Sequence, residues 1–190
     1  MTEPIEITIA EMSPARQADY LAFFDLDAFA DNQRWASCYC YFHFAPHDRQ
    51  DWRDRTAEQN RSAIIDLIQR GELRGYLAYA DGRPVGWCNA DLRTKYSTQE
   101  AALQPQPVGA IVCFVVAKAY RGRGVASRLL GAACAGLAGQ GMEVVEAQAR
   151  KDTEDEAANH HGPLAMYLDS GFVPVGENGP LVTVRKSVFR

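Results

Sequence analysis

An unbroken apolar run and a helical stripe follow one another in the middle of the chain. Residues 110–117 form the longest apolar run and are rich in β-branched side chains, which is typical of a strand covered on both faces. Farther along, apolar residues recur at the spacing of one helical face at Val125, Leu129, Leu130, Ala133 and Leu137. The pattern predicts a strand that passes through a short turn into a helix.

The other elements are predicted from the same kinds of pattern. Alternating isoleucines and a hairpin signal at Asp81-Gly82 indicate strands, whereas a capping pair such as Thr56 and Gln59 indicates a helix. The predicted strands are residues 5–9, 76–80, 84–90, 110–117, 142–149, 173–175 and 181–188. The predicted helices are residues 14–29, 56–71, 124–139 and 163–171.

Residues 35–47 are rich in aromatic side chains and carry four potential metal ligands, Cys38, Cys40, His43 and His47. If this segment is extended, its side chains alternate between two faces, and His43 points away from both cysteines. That geometry favours a packed aromatic segment with buried thiols, so no metal is expected. A metal or redox sensor built on these residues is the alternative interpretation.

Length and composition predict one compact unit. At 190 residues and 47% hydrophobic composition, a single α/β domain over residues 1–190 is expected. The five cysteines are odd in number and lie mostly in apolar segments, which favours reduced core thiols over a disulfide framework. The N-terminal residues lack a signal-peptide pattern, and no apolar run is long enough to span a membrane. We therefore expect a cytoplasmic protein without a membrane partner.

One stretch of this acidic chain is basic. The net charge is -4, yet residues 101–142 contain no aspartate or glutamate. The cations of that stretch are Lys118, Arg121, Arg123 and Arg128, which leaves 16 basic and 24 acidic residues elsewhere. An isolated basic stretch favours a local site for a small polyanion, whereas a nucleic-acid surface is normally a basic domain. No nucleic-acid partner is expected.

The sequence Arg121-Gly122-Arg123-Gly124 lies between the predicted strand and helix. Glycine permits a positive φ and has no Cβ atom to keep a bulky anion off the backbone. The amides that open a helix have no partner within it and lie at the positive end of its dipole. The turn is therefore a predicted phosphate site, and a dinucleotide is one ligand that such a turn could bind.

The same turn resembles a known motif. Arg121-x-x-Gly124-x-Ala126, preceded by Val116 and Tyr120, is similar to the pyrophosphate-binding pattern Gln/Arg-x-x-Gly-x-Gly/Ala. That pattern belongs to the GNAT superfamily of acetyl-CoA-dependent N-acetyltransferases. The resemblance implies acetyl-CoA as the co-substrate.

A second stretch resembles the same superfamily. Tyr167, Gly171 and Phe172 match the spacing of a short helix that ends Ala-x-x-x-Tyr-x-x-x-Gly-Phe, although Ala165 lies two residues before the tyrosine and Asn159 lies eight before it. The two motifs together favour CoA over a dinucleotide. They imply an α/β fold with a single mixed, mostly antiparallel twisted sheet of about seven strands, flanked by about four helices, with the fourth and fifth strands splayed apart.

The resemblance also implies how the donor is held. Backbone groups of the fourth strand are expected to bind the pantetheine arm, and a strand amide such as that of Val116 is expected to stabilise the oxyanion. The implied cofactor-binding residues are Phe114, Val115, Val116, Lys118, Arg121, Gly122, Arg123, Gly124, Val125, Ala126 and Ser127.

The implied reaction is direct attack of a neutral primary amine, on a small molecule or a protein, upon the acetyl thioester in a ternary complex. Tyr167 is the expected general acid, because a phenol and an alkyl thiol have comparable pKa values. The fourth strand carries no acidic residue, so Asp91, Glu146 and His43 are substitute candidates for the general base. Cys113 is a further candidate, as a nucleophile.

In the superfamily the acceptor pocket usually lies between the first two helices, which is where residues 35–47 fall. Tyr39, Tyr41 and His43 are therefore candidate acceptor contacts, and the polar loop 92–107 is expected to close over the substrate. The expected partners are acetyl-CoA and an amine, bound by a monomer or a homodimer. The missing acidic residue leaves a second interpretation open, a non-catalytic acyl-CoA-binding or sensing module.

Overall fold

The computed structural model describes residues 6–98, 107–151 and 157–189. These residues contain seven strands, β1 (Ile7–Glu11), β2 (Gly75–Ala80), β3 (Arg83–Leu92), β4 (Val108–Val116), β5 (Val144–Arg150), β6 (Val173–Asn178) and β7 (Leu181–Ser187). Over the same described ranges the α-helices are α1 (Gln17–Ala22), α2 (Ala57–Gln69), α3 (Val125–Gly139) and α4 (Leu164–Asp169).

The seven strands form one mixed sheet in the order β1-β2-β3-β4-β5-β7-β6. The β4 and β5 strands are parallel, and every other neighbouring pair is antiparallel. Pairing between β4 and β5 begins at Val108 with Val144 and ends at Ile111 with Ala147, although β4 continues to Val116. The predicted fold class and the predicted splay of these two strands are confirmed.

Apolar side chains cover both faces of the sheet. One cluster joins α1 and α2 to the sheet through residues such as Tyr20, Ile64 and Trp87, which are fully buried. A second cluster joins α3 and α4 to the other face. The adjacent β2 residues Leu77 and Ala78 belong to opposite clusters, as expected for a strand buried on both sides.

The predicted hairpin and second helix are confirmed. Asp81 and Gly82 have φ angles of 49° and 75°, so both central turn residues are left-handed, as a two-residue turn between twisted strands requires. Thr56 and Gln59 form a reciprocal capping box at the start of α2.

The helix predicted over residues 14–29 is present as a continuous helical stretch over residues 14–27, but it is not α-helical throughout. A 3-10 turn at Pro14–Arg16 is followed by the short helix α1 and then by a wide turn at Phe23–Asp27, where the Ala28 amide donates to the Phe23 carbonyl at 2.8 Å. The wider turn lets the adjacent Phe23 and Phe24 both be buried. The first strand also lies later than predicted, and residue 5 is outside the described ranges.

Residues 35–47 are not extended, so the side-chain alternation considered for an extended segment does not apply to them. The segment consists of turns, and the consecutive residues Tyr39 and Cys40 have positive φ angles of 47° and 54°. The Tyr20 hydroxyl donates to the Tyr39 carbonyl at 2.8 Å, and the Tyr39 hydroxyl donates to Asp25 at 2.7 Å. These tertiary contacts hold a backbone conformation that alternation in the sequence does not anticipate.

The predicted loop 92–107 is described only in part, because residues 99–106 lie outside the described ranges. Its described portion includes a 3-10 turn at Arg93–Lys95. The strand β4 begins at Val108, directly after the predicted end of the loop. No helix in the described ranges combines the length and the apolarity that crossing a membrane requires.

Candidate active site

A cavity of about 1090 Å³ lies beside β4, near the point where β5 diverges from it. One wall is the end of β4 with the following turn and the start of α3. The opposite wall comes from residues 28–52 and from the segment that precedes α4. The cavity is large enough for a cofactor arm and a second small molecule.

The end of β4 presents an open backbone edge to this region. The Ala117 amide donates to the Val85 carbonyl at 3.0 Å, on the β3 side. Because backbone groups alternate along a strand, those of Phe114 and Val116 face the other side, where β5 no longer pairs with β4. This edge can therefore exchange hydrogen bonds with a bound ligand.

The turn after β4 ends on the start of a helix that has no side-chain cap. Gly122 and Gly124 have φ angles of 69° and 77°, and Gly124 occupies the N-cap position of α3. Since glycine supplies no capping oxygen, the first amides of α3 remain available for an anion. The geometry matches the predicted phosphate turn, and no ligand in the structure tests that role.

Most of the predicted cofactor-binding residues meet at this wall. Those that line the cavity are Phe114, Val115, Val116, Arg121, Gly122, Gly124, Val125, Ala126 and Ser127. Lys118 and Arg123 do not line it. Lys118 is largely exposed, and its Nζ atom lies 4.0 Å from an Asp31 oxygen.

The guanidinium of Arg121 is bonded to groups of the protein itself. Its Nε atom donates to the Val116 carbonyl at 3.0 Å, and its terminal nitrogens donate to Asp31 at 2.8 and 3.0 Å. The pKa of Asp31 is lowered by the hydrogen bonds from Arg121. The motif arginine therefore fixes the turn against residue 31, and it occupies one of the carbonyls of the open β4 edge.

Tyr167, the predicted general acid, lies beside the cavity without lining it. Its side chain is fully buried, and its hydroxyl donates to the His161 carbonyl at 2.8 Å. Burial, with a smaller contribution from Cys88, raises the pKa of Tyr167 well above its ordinary value. Its ring contacts Phe114, which does line the cavity. The role of Tyr167 as an acid stays a prediction.

Two of the candidate bases lie outside the cavity. Glu146 is paired with Arg185 at 2.6 Å and with Arg93 at 3.1 Å. Asp91 is buried, which raises its pKa, and it accepts from the Leu92 amide at 2.6 Å. Neither carboxylate is among the residues that line the cavity.

His43 is the candidate base that the fold brings to the cavity. It is buried, it lines the cavity, and its Nδ1 atom lies 2.9 Å from the Thr98 hydroxyl. Burial, together with His160 and His47, lowers the pKa of His43 to about 4. The imidazole is therefore neutral near pH 7 and can accept a proton.

The predicted acceptor residues Tyr39 and Tyr41 do not line the cavity. The Tyr39 hydroxyl is bonded to Asp25, and the Tyr41 ring lies under the Arg55 guanidinium at 4.9 Å. Aromatic residues that the sequence reasoning did not assign to the acceptor line it instead, namely Trp35, Phe42, Trp52 and His160. For Trp35, Phe42 and Trp52 the signal in the sequence was large apolar side chains between the first two helices, but only the turns of that segment decide which of them face inward; His160, in the segment before α4, had no such signal.

Three cysteines also line the cavity, Cys38, Cys40 and Cys113. The Cys40 sulfur accepts from the Asn89 amide nitrogen at 3.2 Å, and Asn89 in turn accepts from the Tyr96 hydroxyl at 2.8 Å. All five cysteines are free, and no group of three or more potential metal ligands comes together in the described ranges.

Comparison with known proteins defines the class. The family model described as the acetyltransferase (GNAT) family matches residues 20–169. The chain therefore belongs to the GNAT acetyltransferase family. No curated protein matches the sequence.

Solved structures with low sequence identity share the fold. A GNAT-family acetyltransferase from Listeria monocytogenes is 14% identical, with a TM-score of 0.59 and 98% of each chain covered. An aminoglycoside N-acetyltransferase in complex with CoA is 16% identical, with a TM-score of 0.55 over 94% of this chain and 95% of the other. A PaiA N-acetyltransferase from Thermoplasma acidophilum, also in complex with CoA, is 12% identical, with a TM-score of 0.56 over 96% and 99%.

Proposed function

We propose that the protein is an acetyl-CoA-dependent N-acetyltransferase that transfers an acetyl group to a primary amine of a small molecule or a protein. The observation that carries this proposal is the open backbone edge of β4, which leads directly to the uncapped start of α3 on the wall of one cavity. Strand edge and helix start together suit a ligand with an amide-containing arm and a pyrophosphate.

The donor is assigned to backbone groups. Phe114 and Val116 would bind the pantetheine arm, and the amides from Gly124 to Ser127 would bind the pyrophosphate. The exposed side chains of Lys118 and Arg123 are the charges assigned to the ribose phosphate. The Asn159 Oδ1 atom is buried in the cavity wall without a hydrogen-bond partner among the described residues, and it would accept from an N–H of the arm.

The proposed reaction is direct transfer in a ternary complex. The amine nitrogen attacks the thioester carbonyl carbon, and a β4 amide such as that of Val116 stabilises the oxyanion. The carbon–sulfur bond then breaks, the acetyl group stays on nitrogen, and the proton lost by the amine ends on the CoA sulfur. No covalent bond to the protein is required.

Two side chains are assigned to the proton transfers. His43 is the proposed base, because it lines the cavity as a neutral imidazole and uses Nδ1 for Thr98, which leaves Nε2 for the acceptor. Tyr167 is the proposed acid, which would protonate the thiolate once its hydroxyl leaves the His161 carbonyl. The proton taken up by His43 would then return to the phenolate through solvent, so the net transfer is from amine to sulfur.

Release of free thiol from acetyl-CoA across a panel of amines, together with calorimetry using CoA, tests the function. We expect CoA to bind and at least one class of primary amine to release thiol. Failure of CoA to bind would overturn the proposal.

A second candidate is a non-catalytic acyl-CoA-binding module. It is favoured by two observations: the Tyr167 hydroxyl is bonded to a backbone carbonyl, and Asp91 and Glu146 lie away from the cavity. Tight CoA binding without thiol release over a wide amine panel would support this candidate.

We propose a cytoplasmic location, since free and mostly buried cysteines suit a reducing compartment.

The proposed assembly is a monomer or a homodimer, and the molar mass from light scattering would distinguish the two.

A further inference from the structure

A group of aromatic rings lines part of the cavity outside the residues assigned to the donor. This aromatic wall consists of Trp35, Phe42, His43, Trp52 and His160. Phe42 meets Trp52 edge to face at 5.1 Å and His43 at 5.5 Å between ring centroids, and Trp35 lies 5.5 Å from His160. Trp35 and Phe42 each remain 37% exposed, so their rings have surface left for a ligand to cover.

The part of the wall around Phe42 and His43 is held in place by hydrogen bonds to its backbone. The Ser97 hydroxyl shares its proton between the carbonyls of His43 and Ala45, at 2.9 and 2.8 Å. The Ser97 backbone amide also donates to the His43 carbonyl, at 2.8 Å. On the other side of Phe42, His47 Nε2 lies 2.7 Å from the Phe42 carbonyl. A preformed wall loses little conformational entropy when a ring packs against it.

The charges of the cavity do not suit a polycation. Among its described lining residues, Asp31 is the one carboxylate, and it is bonded to Arg121 at 2.8 Å with Lys118 at 4.0 Å. His43 is neutral near pH 7 because burial lowers its pKa to about 4. The same burial favours the neutral form of a bound amine, which is the form that can attack a thioester.

We propose that the acceptor is a small primary amine that carries an aromatic ring, with the ring packed against the aromatic wall and the amine directed toward His43. This inference rests on the proposed function, because it names the acceptor of the same reaction. Aromatic side chains pair edge to face or offset with a bound ring, which an aliphatic chain of equal size cannot do.

The first test compares an aromatic, an aliphatic and a polycationic amine in the thiol-release assay, with kcat/KM expressed per concentration of neutral amine. We expect kcat/KM for phenethylamine to exceed that for hexylamine by about tenfold, and to exceed that for spermidine by more. The variants Trp52→Ala and Phe42→Ala should each lower kcat/KM for phenethylamine by about tenfold, and should lower that for hexylamine less. Phe189→Ala is the matched control, because Phe189 is 75% exposed and does not line the cavity.

A second readout does not depend on turnover. Trp35 and Trp52 line the cavity, whereas Trp87 is fully buried and lies outside its lining. Phenethylamine titrated into the CoA-saturated protein should quench tryptophan fluorescence to saturation, and Trp52→Phe should remove most of that change. Spermidine should produce no saturable change.

The two proposals fail in different ways. If CoA binds and spermidine is the preferred acceptor, or if phenethylamine gives no saturable quenching, the aromatic acceptor is wrong and the acetyltransferase proposal stands. If CoA does not bind, the acetyltransferase proposal is wrong, and the same titration without CoA still decides whether the wall takes an aromatic amine.

Discussion

The two halves of the cavity, assigned above to donor and acceptor as a proposal, offer different kinds of binding groups. The donor half is the end of β4, the turn at Gly122 and Gly124, and the first residues of α3. Its binding groups belong to the backbone, so it depends on where a strand ends and on two glycines. The acceptor half is built from side chains on the turns of residues 35–52 and on residues 159–166. Its character depends on which of many aromatic residues face inward.

Arg121 and Asp31 join the two halves. The arginine belongs to the donor turn, whereas the aspartate lies between α1 and the aromatic wall. A residue that the motif assigns to phosphate binding thus also donates hydrogen bonds to Asp31, which lies before the acceptor segment. The comparison predicts that changes in the donor half abolish CoA binding, and that changes in the acceptor half leave CoA binding intact.

The largest effect is expected for Gly124→Glu. The new carboxylate would lie at the uncapped amides of α3 and repel a pyrophosphate, so we expect CoA affinity to fall by about a thousandfold or more in calorimetry. Gly141→Glu is the matched control: Gly141 also has a positive φ, 86°, and open space around its Cβ position. Equal loss of affinity in both variants would mean that backbone strain, not the site, is responsible.

Tyr167→Phe tests whether the acid belongs to the donor half. If the phenol protonates the thiolate, kcat should fall by about a hundredfold while the Kd for CoA stays the same, because the ring still packs on Phe114. A kcat within twofold of the unmodified protein would leave the hydroxyl as a structural donor to His161.

Acid should lower the free energy of unfolding through the histidines of the acceptor half. His43 has a pKa of about 4 in the folded state against an ordinary value of 6.5, so below pH 6.5 the unfolded chain binds a proton that the folded chain does not. The stability contributed by neutral His43 is present above pH 6.5 and is lost as the pH falls toward 4, by up to roughly 3 kcal/mol.

His161, whose pKa burial lowers to about 3, should add to the same loss. Urea unfolding at pH 7 and pH 4 measures this loss of unfolding free energy. The loss should be smaller in His43→Gln than in the unmodified protein, because the carboxylates contribute equally to both and only the His43 contribution is removed. Identical drops would contradict the assignment to His43.

The smallest effect is expected for the ion pair between Arg121 and Asp31, which connects the two halves. Arg121→Gln removes the charge-assisted hydrogen bonds to a partly buried Asp31 and should lower the free energy of unfolding by about 1–2 kcal/mol. Arg53→Gln, which breaks an exposed pair with Asp51, is the control and should leave the free energy of unfolding essentially unchanged. Equal changes in the two variants would show that Asp31 does not hold the turn.

The part of the molecule that could be predicted from sequence is mainly the donor half, and the part that could not is mainly the acceptor half. The strand-turn-helix unit at residues 110–139, the hairpin at Asp81-Gly82 and the Thr56 cap of α2 are confirmed, because each depends on neighbours in the chain. The change of helix type at Phe23–Asp27 and the turns of residues 35–47 are not evident from local patterns. Their backbone is held by contacts distant in sequence, such as Tyr20 with Tyr39.

The sequence by itself determined the order of the strands and helices and the location of the predicted phosphate turn, and its resemblance to a known family implied the fold class. Period and glycine placement act over a few residues, and they leave a strand and a helix little choice of geometry. Only the tertiary structure decided that Arg121 turns toward Asp31, that Glu146 and Asp91 lie away from the cavity, and that His43 lines it. The physical reason is that side-chain direction in irregular turns is set by burial and long-range hydrogen bonds, which no local pattern records.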